Sequence, residues 1–361
     1  MPFKQLKPFF EWKSPGVSWH IPFLAAVSVG IPLVAGLWSH QPRLGMLAAT
    51  GAMVILYLPR TPMPVSAKIR RLMACSCGFA ICYAIGAGSA FHPAVSALVL
   101  GLITVLATTV CRTNKIPPPG SFFFILIATI ACCSSFEPRM IPLRAGLVAL
   151  GGMTSCLVAL VYCLLARETR PMEEAGKKDT RLAAILVESS VIGFSVTLSL
   201  IVARLLKLDN PYWVPISAAA ILQGGTFRAV WHRQVHRIVG TAIGMVLSWF
   251  LFPAVPEPVT MAAVIVVLVF VAEYLVPRHY GVAVIFITPM TVAFVEFSAG
   301  VVPVHGLLMA RLLDIVIGSV IGAAGGWVLH HPQWCLSVEQ RIMRLRWFAG
   351  NGEKRSPLDR R

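Results

Sequence analysis

The sequence predicts an all-α integral membrane protein of about twelve short transmembrane helices in two six-helix parallel repeats. Three observations lead there. Apolar runs of bilayer length recur along the whole chain, Lys and Arg alternate with them, and the second half restates the first at an offset of 167 residues. Of the 361 residues, 57% are hydrophobic and only 13% charged, and mean hydropathy is +0.76, which excludes a soluble protein of this length. The bilayer is then the solvent, and each span needs roughly 20 apolar residues.

Taken in order, residues 1–17 form a cytoplasmic tail in which Lys4, Lys7 and Lys13 precede no small-residue cleavage site, so no removable signal is read. The first repeat, 18–165, holds spans at 18–38, 43–58, 67–88, 93–111, 120–136 and 143–165. A cytoplasmic linker, 166–183, leads to the second repeat, 184–330, with spans at 184–206, 211–223, 234–252, 258–275, 280–298 and 306–329. Residues 331–361 form a basic tail. With both termini cytoplasmic, that side collects 25 of the 31 basic residues and leaves Arg43, Arg139, Arg144, Arg204, Lys207 and Arg311 at outer ends, the asymmetry of the positive-inside rule. The net charge of +16 is therefore mainly a topology signal, and short loops offer no face for nucleic acid. The tail's Arg341, Arg344, Arg346 and Trp347 either rest on anionic lipid or belong to a frayed end that obeys the same rule.

The repeat shows where Arg144 falls on Arg311, each opening the last helix of its half, and where Ile69-Arg70-Arg71-Leu72-Met73 meets Val235-His236-Arg237-Ile238-Val239. An even number of spans per half makes the repeats parallel. In both halves the second span is short and runs into a breaker-rich loop, Pro59 to Pro64 and Gln223 to Arg228. A helix too short to cross is tolerated only when buried in protein or lining a wet cavity, so the permeation path is expected there; a tilted span or locally thinned bilayer is the plainer alternative.

If the path carries an anion, it needs donors that bind and release one, and arginine's planar fork suits a group such as a carboxylate. Arg71 and Arg237 stand at equivalent positions and are the leading substrate-binding candidates, with Arg228 and Gln223 completing the second-half site; as cytoplasmic anchors they would serve only topology. Trp213 and Tyr212 could stack on an aromatic substrate or sit in an interfacial belt with Trp231. Asp314 lies three residues after Arg311 on one helix face, as an ion pair that either closes the second half or exchanges a proton. Glu188 and Glu296 are further proton-relay candidates close enough to helix ends to snorkel. His232 and His236, four apart, lack an acidic or thiol partner nearby, and seven cysteines within apolar runs lack ligand spacing, so neither metal nor cofactor is expected. Gly318 to Gly326 reads as a helix-packing stripe. No nucleophile with a base and no phosphate loop points to an enzyme.

The block from Pro211-Tyr212-Trp213-Val214-Pro215 through Gln223, followed by Phe227-Arg228-Ala229 and Arg233-Gln234-Val235-His236-Arg237-Ile238-Val239-Gly240-Thr241, resembles the fusaric-acid-resistance-like family. That family includes bacterial aromatic acid exporters and has the plant malate channels as distant relatives. The resemblance implies a bacterial inner-membrane secondary exporter of small organic anions, aromatic carboxylates among them, driven by protons. A passive anion channel and a non-transporting subunit of a larger complex are the alternatives. Many members carry a large soluble region that this linker and tail are too short to supply, which leaves room for a homodimer or a partner efflux subunit.

Overall fold

The computed structural model describes residue 12 and residues 19–59, 63–166, 182–224, 226–255, 257–299 and 304–329. The lysines of the N-terminal tail, residues 167–181 of the linker, the basic tail and the Glu296 side chain lie outside the described residues.

Twelve α-helices fill the described residues: α1 His20–Trp38, α2 Pro42–Ala52, α3 Val65–Gly88, α4 Pro93–Thr113, α5 Phe122–Cys132, α6 Ile141–Leu165, α7 Leu182–Leu205, α8 Trp213–Leu222, α9 Phe227–Leu251, α10 Pro258–Leu275, α11 Tyr280–Ala299 and α12 Val304–Leu329. Proline opens several of them, as Pro42, Pro93 and Pro258, where its missing N–H costs nothing and its fixed φ is already helical. Side-chain caps start two more firmly: His92 Nδ1 accepts from Ala94 N at 3.2 Å before α4, and Thr226 Oγ1 accepts from Ala229 N at 3.2 Å before α9.

Eight helices (α1, α3, α4, α6, α7, α9, α10 and α12) are long and apolar enough to cross a bilayer, and α2, α5, α8 and α11 contribute shorter apolar stretches. Helices α2 and α8, of 11 and 10 residues, are each the second of their six; α5 has 11 residues, whereas its counterpart α11 has 20. The sequence anticipates α2 and α8; the shortness of α5, 11 residues, is hidden in an apolar run that continues past its end. Ten residues of α8 reach about 15 Å, half the hydrocarbon, and all ten are buried. Protein surrounds this half-helix, which is the condition for tolerating it at membrane depth. On the outside, Leu98, Leu102 and Leu106 form an exposed stripe along α4 at four-residue spacing, each more than 60% exposed, as a lipid-facing surface would.

Packing follows a recurring plan. In the first six helices α2 packs on α1 and α6, and α3 on α5 and α6; in the last six α8 packs on α7 and α12, and α9 on α11 and α12. The groups also exchange helices across their boundary, α4 against α7 and α5 against α8, α10 against α1 and α11 against α2. Glycine permits the tightest crossings. A methyl group on Gly51 would collide with the Val148 carbonyl and one on Gly151 with the Ala48 carbonyl, between α2 and α6; one on Gly318 would strike the Val214 carbonyl, between α12 and α8. The glycine stripe of α12 thus works as the sequence suggests, Gly318 and Gly322 seating α8, Gly325 meeting Ser195 of α7 and Gly326 meeting Val230 of α9.

Helices α1 and α7 also end alike. His40 (φ 55°) and Lys207 (φ 52°) are left-handed, and beyond them Gln41 N donates to Gly36 O at 2.8 Å and Leu208 N to Ala203 O at 3.1 Å. These are Schellman closures, 167 residues apart.

The boundary between the two groups carries salt-bridge and hydrogen-bond links that sequence reading misses. Glu188 of α7, expected as a relay or snorkelling group, bonds Arg112 of α4. Arg204, near the end of α7, donates to the Pro93 carbonyl, to Ser96 Oγ at 2.7 Å and to the Cys132 carbonyl at 3.0 Å, tying α4 and α5 of the first group to the second.

Candidate anion site

Helix α8 is the axis of the site, because the neighbours that bury it bring arginines to it. At its first residue, Trp213, the guanidinium of Arg311 from α12 lies over the indole ring, 3.8 Å from its centroid, and donates to Thr291 Oγ1 of α11. One turn along, Ser217 Oγ accepts from Arg237 Nη2 of α9 at 3.2 Å, and Nη1 of the same arginine donates to Tyr280 OH at 3.4 Å. Arg237 and Arg311 are 7% and 4% exposed, and they lie close enough for their charges to act on each other.

Both guanidinium groups are left with a buried Nε–H that has no hydrogen-bond partner among the described residues. Asp314, 1% exposed, presents two carboxylate oxygens equally without hydrogen-bond partners among the described residues. Arg311 acts on Asp314 electrostatically, but neither oxygen is hydrogen-bonded, so this is not the closed ion pair anticipated from their spacing. Burying a charge without full pairing costs several kcal/mol. Two cations against the buried Asp314, with the exposed Asp209 near it, thus leave open donors and positive charge inside the bundle, the condition that an anion would satisfy.

The remaining predicted residues are placed as follows. Tyr212 precedes α8, its OH donating to Asn210 Oδ1 at 3.0 Å and its ring 5.0 Å from that of Trp213. Gln223 caps the other end of α8 and faces the α4–α5 loop at Gly120, whose carbonyl accepts from Tyr57 OH at 2.6 Å; the ends of both short second helices thus converge on one loop. Arg228 is exposed in the first turn of α9. Arg71 is half-buried on α3, with its charge near Cys75 and Cys111, and the structure groups Arg237 with Arg311 instead. His236 stacks on His279, ring centroids 5.1 Å apart, and among the described residues no three His, Cys, Asp or Glu side chains gather as a metal site needs. Sequence reading missed Ser217, Tyr280, Thr291 and Arg233. Of these, only Arg233 left a signal, four residues before Arg237 and so on the same helix face.

These features define a multi-pass helical membrane protein with a cationic seam buried in its second half. The Tyr-Trp-Val-Pro block lies in the segment that is similar to a known family: residues 198–325, from within α7 to within α12, match the fusaric acid resistance protein-like family. An uncharacterized membrane protein of Bacillus subtilis (strain 168), YvaC, is 36% identical over 118 residues, which are 33% of this chain and 19% of that protein, so the chain spans under a fifth of that relative's length. The hematopoietic cell signal transducer of Bos taurus is 37% identical over 68 residues, 86% of that protein but 17% of this chain, a fraction too small to speak for a bundle of twelve helices. No solved structure matches. Fold and family are consistent with a transport or efflux role.

Proposed function

We propose that this protein is a secondary transporter that exports small organic anions, aromatic carboxylates foremost, across a bacterial inner membrane with both termini cytoplasmic. The observation that carries the reading is the pair of buried guanidinium groups, Arg237 and Arg311, each with an open Nε–H beside α8. A carboxylate arriving between them would complete donors that the protein's own groups leave unsatisfied, while the Trp213 indole supplies an apolar wall for an aromatic body. Asp314 is the proton carrier in this reading. Neutral, it leaves the pair free to hold substrate; ionised, it competes for Arg311 and favours release, so a proton would leave with the anion and efflux should be fastest with the interior acidic.

The two halves are, on this reading, an internal repeat with parallel topology. The recurring neighbours of α1–α6 and α7–α12, the short second helices and the matched closures at His40 and Lys207 support it.

The test is efflux of labelled small aromatic carboxylates from proteoliposomes holding the full chain, with and without a pH gradient. Gradient-dependent flux that Arg311→Gln or Arg237→Gln abolishes is the expected result. A folded wild-type protein that passes none of a broad organic-acid panel under any gradient overturns the reading.

A further inference from the structure

We propose that Arg233 and Tyr280 form a second carboxylate site at the C-terminal end of α8, sharing Arg237 with the Arg311 site at its N-terminal end, and that an anion passes between the two along this helix, an inference that rests on the anion-transport reading. Arg233 Nη1 donates to the carbonyl of Ala220 at 3.2 Å, and its guanidinium lies 5.3 Å from the centroid of the Tyr280 ring. The hydroxyl of that tyrosine is held by Arg237. Three guanidinium groups thus attend positions 213, 217 and 220 of one buried helix. At 1.5 Å per residue the steps between them are about 6 Å and about 4.5 Å, short enough for a carboxylate to leave one before it has lost the next.

The direction of the α8 dipole gives Arg233 its purpose. Trp213 stands at the positive end, where the dipole adds to the attraction of Arg311 for an anion. The other end exposes carbonyls that have no partner within the helix and would repel one. The Ala220 carbonyl is such a group: the Gly224 N–H, which would serve it if the helix continued, goes to Ile221 at 3.0 Å. By covering that carbonyl Arg233 replaces a repulsive helix end with a cation. Among the described residues none of the three arginines is ion-paired to an acid, and Asp314 is the one buried carboxylate beside them. Three cations against one carboxylate leave charge for two monoanions. Two sites in series also meet the kinetic need of a path, since each can bind well enough to admit an anion and weakly enough to release it.

The deciding experiment is equilibrium binding of labelled benzoate to the purified full chain in lipid nanodiscs, with efflux measured in parallel. Two benzoates per wild-type chain are expected, falling to one in Arg233→Gln and to one in Arg311→Gln, with the surviving affinity little changed in each. Tyr280→Phe, which removes one hydroxyl and leaves the fold alone, should keep two sites and weaken one severalfold. A single wild-type benzoate lost with Arg311→Gln, in a protein that still transports, overturns the second site and leaves the transport reading standing. Two benzoates unaffected by both Arg233→Gln and Tyr280→Phe overturn it as well, and a wild type that neither binds nor transports overturns both. Should Arg233→Gln fail to fold, wild-type stoichiometry and Tyr280→Phe decide.

Discussion

The first six helices and the last six share a packing plan but not a chemistry. Arg144 and Arg311 each open the sixth helix of their group, yet Arg144 sits at the rim, bonded at 2.9 Å to Glu137, whereas Arg311 is buried over Trp213. The cause is a difference of register. Arg144 is the fourth residue of α6 and Arg311 the eighth of α12, which sinks the second arginine about 6 Å deeper along its helix axis. At the offset that joins these two, Asp314 meets Leu147; at the offset that joins Arg71 to Arg237, Arg233 meets Ala67. One group therefore offers an apolar frame where the other offers a charged seam, and a single turn of extra helix helps separate scaffold from site.

The largest expected effect tests that separation directly. Removing a charged hydrogen-bonding group from a buried site costs about 1.5–3 kcal/mol, or roughly 10- to 150-fold. Arg311→Gln should lower carboxylate flux in proteoliposomes by about that factor, while Arg144→Gln, at a solvated rim pair, should leave flux within about twofold, in keeping with the small worth of exposed pairs. Equal losses in both would mean that the halves share the work and that the contrast drawn from burial is mistaken.

The shared scaffold makes the next prediction. If both groups depend on backbone contact at their glycine crossings, Gly151→Ala and Gly318→Ala should each destabilise by about 1–3 kcal/mol, the usual cost of overpacking, seen as a lowered midpoint of thermal unfolding in detergent. Gly88 and Gly146 serve as controls, for a methyl group at either meets nothing within 4 Å, and alanine there should be neutral or stabilising by up to about 1 kcal/mol. A large cost at only one crossing would break the analogy between the halves.

Much of this architecture was legible because bilayer crossing is a local property. Hydropathy and charge alternation place the twelve helices closely, and the shortness of α2 and α8 follows from the breakers that end them. What stayed hidden depends on distant partners. Arg237 and Arg311 come together from helices 74 residues apart in sequence, and only the burial of α8 between them makes them neighbours. Glu188 read as a second-rank relay candidate or a snorkelling group because Arg112, its partner, is 76 residues away. Arg233 was one cytoplasmic cation among several until the end of α8 gave it a carbonyl. Arg71 was paired with Arg237 for its equivalent position; it is half-buried on α3, whereas Arg237 is buried beside α8.

A smaller effect concerns the rim pair of the first half. Ser135 and then Arg144 bond the Glu137 carboxylate and hold it below its ordinary range. A lowered folded value means that its stabilisation is fully present above the unfolded carboxylate value, about 4.3, and is lost as pH falls through the lower folded value. Glu137→Gln should therefore lower the unfolding midpoint slightly at pH 7, with the gap from wild type closing below about pH 4. A gap that persists in acid would show that shape rather than charge matters at this rim.

The smallest effect probes whether the two halves close their first helices for the same reason. A left-handed conformation costs a residue with a Cβ about 1 kcal/mol or more, and glycine almost nothing. His40 and Lys207 both bear that cost, set against the flexibility that glycine would give the unfolded chain. His40→Gly and Lys207→Gly should each come out neutral to about 1 kcal/mol stabilising, measured by thermal unfolding. Both residues lie away from the arginine seam, so flux should not change. Should one substitution destabilise while the other does not, the side chain at that end is holding something besides its turn, and the likeness of the two closures would be one of backbone path alone.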